Sequence, residues 1–412
     1  MKKSTWNIVG IVCAFVALFG CAHEPTNTTP MKTAAEILGN PEYQAISYGG
    51  YRAKSREVQP TIQQLKNDLK IMHAMGIRVL RTYNLQLDHA PNVLRAIREL
   101  KQEDATFEMY VMLGAWIDCA GAWTDAPNHA EQDFDANEAE VERAVALAQQ
   151  YPDIIKVLAV GNEAMVHWAA SYFVEPGVIL HWVNHLQALK ADGTLPADLW
   201  ITSSDNFASW GGGGAEYHKA DLNALIEAVD YVSMHTYPFH DTHYNPVFWK
   251  EAEGDEEGVV DRAMARALAY SQNQYQQVVN YVHRIDPDKP VHIGETGWAS
   301  LSDGLYGPEG SRAADEYKQA LFYRGMRDWT QSAGISCFYF EAFDEPWKSA
   351  ANPTDSENHF GLFTADGESK YALWPLVEEG VFDGLTRGGK AIAPTYSGDR
   401  ALLDRHVLNP AP

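Results

Sequence analysis

The chain of 412 residues is short of positive charge: 32 lysines and arginines stand against 55 aspartates and glutamates, a formal charge of −23. That balance opposes contact with polyanions, so nucleic acid is not an expected partner, while a neutral or basic ligand, or a plain hydrated surface, fits it. Cysteine is scarce as well, at four. Cys119 follows the exit of one candidate strand and Cys337 sits early in another, so a bridge between them is open but not expected. No apolar run reaches the roughly 20 residues that a membrane-spanning helix needs. No Gly-rich phosphate turn follows the first candidate strand, no H-E-x-x-H or similar histidine and carboxylate spacing occurs, and no internal repeat is visible. The expectation is therefore no cofactor and no metal. What is present, 46% hydrophobic residues, is enough to bury a sizeable core.

The N-terminus, "MKKSTWNIVGIVCAFVALFGC", places two lysines before an apolar stretch from Ile8 to about Gly20 and reads as an export signal. "LFGC", Leu18 to Cys21, resembles the bacterial lipobox, in which cleavage leaves Cys21 as a lipid-modified terminus; a plain secretory signal with an incidental cysteine is the alternative. On this reading residues 1–20 are the signal, 21–40 a polar tether, 41–385 a catalytic domain and 386–412 a tail that either wraps the domain or stays loose. The protein is then exported, held at the bacterial outer membrane by lipid alone, and monomeric.

Beyond the tether, apolar strand-like runs alternate with helical patterns. "AISYGGY", "IRVLRTYN", "FEMYVMLGAW", "IIKVLAVGNE", "LWITSSD", "DYVSMHTYP", "PVHIGETGW" and "ISCFYFEAFDE" make eight strands. Helical spacing predicts helices over 61–76, 90–101, 131–150, 175–190, 216–227, 258–285, 311–332 and 371–379. Eight such units argue for an α/β fold, a single (β/α)₈ TIM barrel; a doubly wound sheet is weakened by the missing phosphate turn. A long loop, "FHDTHYNPVFWKEAEGDEEG", follows the sixth strand, on the side where barrels build their sites.

Side chains at the C-terminal strand ends converge on a barrel's ligand. The fourth strand ends in Glu163 and the seventh in Glu295. Period-two alternation sets Val157, Ala159, Gly161 and Glu163 on one face, and Val291, Ile293 and Glu295 on another, so that both carboxylates point inward. Strict alternation turns Asn162 away unless the strand ends or bulges there. Two buried carboxylates that face each other, unless neutralised by neighbouring Arg or Lys, are what glycoside hydrolysis uses: one acid protonates the leaving oxygen and the other attacks the anomeric carbon or activates water.

"VGNE" and "GETGWAS" resemble the acid/base and nucleophile motifs of glycoside hydrolase family 17, the β-1,3-glucanases within the barrel clan A. "ISYGGYR", with Tyr48, resembles that family's first strand and "LRTYN", with Arg81 and Tyr83, its second. "HTYPF" resembles the sixth, carrying His235 and Tyr237. "FEAFDEPWK" and "ENHFGLF" resemble the eighth-strand block, which assigns Glu345, Lys348 and Glu357 as accessory charges. Ala299 and Glu341 depart from the plant pattern and look like the bacterial, laminarinase-like branch. The resemblance implies a retaining hydrolase of laminarin-type β-1,3-glucan that works through a glycosyl-enzyme, with Glu163 as acid/base and Glu295 as nucleophile. Its substrate is a β-glucan oligo- or polysaccharide. The same family includes β-1,3-glucan transglycosylases, and a non-catalytic glycan-binding lipoprotein is the reading from another class.

Flat rings suit the apolar faces of pyranoses. Trp116 and Trp123 follow the third strand, Trp168 the fourth, Trp210 the fifth, Trp298 the seventh and Trp347 the eighth; for any single one core packing or loop anchoring is an equal reading, and as a set they are read as sugar platforms. His235 is read as a partner of sugar or of Glu163, with a purely structural histidine as the alternative.

Overall fold

Every apolar run read as a strand is one. The computed structural model describes residues 1, 31–250 and 258–411. In it β1 (Gln44–Ser47), β2 (Ile77–Arg81), β3 (Tyr110–Ala115), β4 (Ile155–Asn162), β5 (Trp200–Asn206), β6 (Val232–His235), β7 (Val291–Gly297) and β8 (Cys337–Phe340) pair in parallel, each beside its neighbour in sequence. Closure comes from β8 returning to β1, with Phe338 opposite Ala45 and Tyr339 opposite Ile46. β3 is buried at every position because one face meets the barrel interior and the other the helices, which is why these strands read as apolar runs.

The helices are α1 (Ile62–Ala74), α2 (His89–Glu103), α3 (Phe134–Gln150), α4 (Pro176–Ala191), α5 (Ala220–Ala228), α6 (Val259–Val282), α7 (Glu316–Ala333) and the short α8 (Trp374–Glu378). Local chemistry sets their ends. Thr61 and Gln64 form a capping box at the start of α1, Asp315 caps α7, and Gly334 ends α7 in a left-handed conformation. α3 begins later than predicted: Asn128–Gln132 pairs with Cys119–Ala120 as a small hairpin, and Asp133 caps the helix behind it. Another short helix, Pro238–Tyr244, occupies the long loop after β6.

Inside the barrel Ala45, Val79, Tyr110, Met112, Val157, Ala159, Tyr231 and Phe338 form an apolar layer, closed below by Ile37, Leu38 and Tyr43. Above it the inward positions become polar: Ser47, Arg81, Ser204, Ser233 and His235 are all buried. The outer faces of the strands, among them Leu158, Met234 and Ile293, join the larger core against the helices.

One boundary needs correction, and the open reading of the tail is resolved. Residues 33–40, read as the end of a tether, belong to the barrel: Thr33 and Glu36 form a capping box on Ala34–Ile37, and Ala34 and Ile37 are fully buried. The tail wraps the barrel. Thr386–Arg387 pairs with Lys390–Ala391, Trp374 donates to Thr395, and the Lys318 ammonium donates to the Leu408 carbonyl at 2.6 Å. Cys119 and Cys337 are both free and buried. The residues read as an export signal, 2–20, and Cys21 lie outside the described residues. Among the described residues no helix is long and apolar enough to cross a membrane.

Candidate active site

Glu163 and Glu295 both reach the barrel mouth, though not by simple alternation. In β7, Val291 and Ile293 face the helices, contrary to the sequence reading, while His292 packs on Tyr231 inside. The register then slips: Met234 pairs with Ile293, but His235 pairs with Glu295. The extra residue is Gly294, where a Cβ would sit 2.1 Å from Ser233 Oγ and 2.4 Å from Ser204 Oγ. This bulge turns Glu295 inward.

β4 carries the same device. Ala159 pairs with Thr202 and Asn162 with Ser204, so one extra residue lies between them, and Asn162 takes the inward slot. Gly161 has φ +81°, and a Cβ there would lie 2.8 Å from that of Ala164. Glu163 itself has φ +47°, an unusual conformation for a non-glycine residue. Its amide donates to the Ser204 carbonyl at 2.9 Å, and Asp205 accepts from the Met165 amide at 2.7 Å.

The surroundings of the two carboxyls differ. Arg81 donates to Glu295 at 2.6 Å, to the Gly294 carbonyl at 2.8 Å and to Asn162 at 2.6 Å. Tyr83 and Tyr237 donate to the two Glu295 oxygens at 2.9 and 2.5 Å. Burial alone raises a carboxyl pKa, but the Arg81 charge and the two phenols more than offset it and hold Glu295 below its ordinary value. Among the described residues Glu163 has no lysine or arginine in contact. Burial, and then the charge of Glu295, push its pKa up to about 8. Its Oε1 shares a hydrogen bond of 3.0 Å with His235 Nδ1, and His235 Nε2 meets Ser204 Oγ at 2.8 Å. Burial, followed by Arg81, lowers His235 to about 3, so its ring is neutral.

Both glutamates line a cavity of about 1390 Å³. Of the other predicted residues Tyr48, Tyr83, Trp116, Trp123, Asn162, Trp168, Tyr237, Glu345, Trp347, Lys348 and Glu357 line it as well. On the β3 and β4 side Trp123 and Trp168 are exposed, and Tyr172 stacks on Trp123 at 4.9 Å. Asp118 accepts from the indoles of Trp116 and Trp123 at 2.8 and 3.2 Å and fixes them. On the β8 and β1 side Trp347 packs edgewise on Tyr51, with the Arg56 guanidinium 4.4 Å from its ring.

Several assignments change. Trp298 is 0% exposed, packed on Phe239, Trp249 and Phe322 with its indole donating to the Ala313 carbonyl, so it is core and touches no ligand. Trp210 is equally buried, its indole donating to the Ser233 carbonyl. Past a strand end alternation no longer tells which way a ring turns. Arg81 and His235 lie beneath the cavity and serve the glutamates instead of sugar. Tyr48 commits its hydroxyl to buried Asp68 at 3.0 Å. Glu341 is buried behind Glu345 and Lys348; burial, followed by the Glu345 charge, raises its pKa well above the usual range. Sequence reading missed Asn206, Tyr172, His240 and Tyr306, which all stand at the wall or brace it, and Asp205, which holds the Glu163 turn. The polar run "SSDN" at the end of β5 was the available signal for two of them.

The BtgE/BtgC glycoside hydrolase domain matches residues 45–361. The crystal structure of an endo-laminarinase from Formosa Hel1_33_131 is 63% identical, covering 92% of this chain and 98% of that one, with a TM-score of 0.90. A glucan 1,3-beta-glucosidase of Arthroderma benhamiae is 27% identical over 267 residues, 61% of this chain and 69% of that protein. A probable glucan endo-1,3-beta-glucosidase btgC of Aspergillus fumigatus is 24% identical over 73% of this chain, which spans 37% of the fungal protein. With its barrel, its paired glutamates and a match over most of its length, the chain belongs to the BtgE/BtgC glycoside hydrolase family.

Proposed function

We propose that this glycoside hydrolase cleaves β-1,3-glucan internally, with retention of configuration. The observation that carries the chemistry is the pairing in one aromatic-lined cavity of Glu295, held by Arg81 and two phenols that favour its charge, with Glu163, whose burial and negative neighbour favour the neutral acid. The laminarin specificity and internal attack rest on the likeness to the Formosa endo-laminarinase. The Glu295 carboxylate attacks the anomeric carbon while Glu163 gives its proton to the departing oxygen. Once Glu295 is esterified its charge is gone and the Glu163 pKa falls, so Glu163 leaves the first step ionised and deprotonates the water that releases the sugar. Arg81, Tyr83 and Tyr237 keep the nucleophile ionised and aligned for each cycle. Trp116, Trp123, Trp168 and Trp347 supply faces for successive glucose rings.

Reducing-sugar release from a panel of β-1,3, β-1,4 and mixed-linkage glucans tests this, with soluble oligosaccharides of several lengths expected early from laminarin. Release from β-1,4 glucan alone overturns the linkage, and products longer than the donor convert the reading to a transglycosylase. No release from any glucan leaves a glycan-binding protein.

The proposed cellular place is the outer membrane, through lipid on Cys21, supported by "LFGC" and the polar residues that follow it. Wild type is expected in the membrane fraction and Cys21→Ala in the soluble fraction; a soluble wild type overturns it.

A further inference from the structure

The C-terminal tail contributes a buried arginine that stands behind the wall of the cleft. Gly388 and Gly389, at φ +59° and +80°, make the tight turn between Thr386–Arg387 and Lys390–Ala391. That hairpin drives Arg387, 1% exposed, against the barrel. Its Nε donates to Asp68 Oδ1 at 3.1 Å and its Nη2 to Asp68 Oδ2 at 3.4 Å. Its Nη1 donates to the Ala365 carbonyl, and its guanidinium lies 4.1 Å from the Phe343 ring.

Asp68, on α1, is fully buried and gathers two further groups from the loop that leaves β1. Tyr48 donates to it at 3.0 Å, Arg52 donates at 2.7 Å, and Arg52 also donates to the Gly50 carbonyl at 3.1 Å. The same loop carries Tyr51, whose amide donates to Glu345 at 3.4 Å and whose ring meets Trp347 at 6.0 Å. Residues 48–52 are thus gripped from below by Asp68 and from the side by Glu345, and they set Tyr51 against Trp347 at the β1 and β8 end of the cavity. Removing Arg387 leaves Asp68 with Tyr48 and with Arg52 as its remaining cation, and Arg52 is the more solvent-exposed of the two guanidiniums.

We infer that Arg387 is a positioning residue for glucan binding: through Asp68 it sets the loop that holds Tyr51 against Trp347, a task that falls to a segment outside the matched catalytic region 45–361. The inference rests on the glucanase reading above. Arg387 touches neither Glu163 nor Glu295, so its loss loosens substrate without changing the chemistry at saturation.

The test is steady-state kinetics of the full-length protein on a β-1,3-linked glucose hexamer. Arg387→Ala and Tyr51→Ala are each expected to raise KM about tenfold with kcat within about twofold of wild type, and the double variant to raise it no further. A folded Arg387→Ala with wild-type KM, a lowered kcat at unchanged KM, or multiplied effects in the double variant overturns the inference. Should Arg387→Ala not fold, Arg387→Lys keeps a charge beside Asp68 but loses the two-pronged contact. It is expected to raise KM by a smaller factor, an effect absent in the Tyr51→Ala background, and an unmoved KM overturns the inference. A wild type that does not cut the hexamer counts against the glucanase reading itself, and with it the ligand named here.

Discussion

The ends of β4 and β7 bear the same side chain on the same device, one extra residue at a glycine, yet they hold it in opposite states. At β7, Glu295 collects an arginine and two phenols; at β4, Glu163 collects a neutral imidazole and the repulsion of Glu295. Residue type and strand position are therefore silent about which glutamate is acid and which is nucleophile. Arg81 decides it: placed between Asn162 and Glu295, it spends its charge on one carboxyl and only a side-chain amide on the other strand. A dry site magnifies that choice, because an unpaired carboxylate gives up its charge where a paired one keeps it.

The largest break in the comparison removes the ionised partner. Glu295→Ser is expected to lower laminarin hydrolysis by about 10⁴-fold or more while joining an α-glucosyl fluoride donor to a sugar acceptor, since the fluoride stands in for the missing ester. Near wild-type hydrolysis by this variant takes the nucleophile role from Glu295. The next removes the protonated partner. Glu163→Ala is expected to lose about 10²–10⁴-fold on laminarin yet to spare the first step on aryl glucosides with acidic phenols, and azide should restore turnover as a β-glucosyl azide. An α-azide contradicts retention, and equal loss on both substrates without rescue moves the acid role elsewhere.

A smaller effect sharpens the comparison through stability. Glu163 is raised from the ordinary 4.5 to about 8, so between those values the folded protein holds a proton that the unfolded chain releases. Stability conferred by the neutral carboxyl is then present at low pH and lost as pH rises through that window. Glu163→Gln keeps the shape and removes the titration. Its melting temperature is expected to match wild type near pH 4.5 and to exceed it by on the order of 2–5 °C near pH 8. A constant difference across the range would place the Glu163 pKa near its ordinary value.

The eight strands and both glutamates were legible because barrel strands buried on two faces leave apolar runs, and a carboxylate ending such a run stands out. The paths by which the glutamates arrive were not. Alternation put Val291 and Ile293 inside the barrel, whereas Gly294 adds a residue and reverses the face, and nothing in "VHIGETGW" marks a bulge apart from a glycine. In "VGNE" the same ambiguity was visible as the question of Asn162, which the bulge at Gly161 resolves inward. Trp298 and Trp210 show a second limit: a ring beyond the strand end goes where its indole N–H finds a carbonyl, and that carbonyl belongs to residues distant in sequence or to another strand. Glu341 shows a third, since a charge can belong to a site's electrostatics while never reaching its surface.

The hairpin that seats Arg387 also bears on the order in which the molecule comes together. Asp68 and Arg387 are 319 positions apart, so their contact closes nearly the whole chain into a loop. Contacts between such distant residues carry the largest ordering cost and form late. During synthesis Asp68 has Tyr48 and Arg52 as its donors until Arg387 has been made. The catalytic pair, on strands 4 and 7, and Arg81, on strand 2, are synthesised before Arg387, so the contact that braces the Tyr51 loop becomes available only after them.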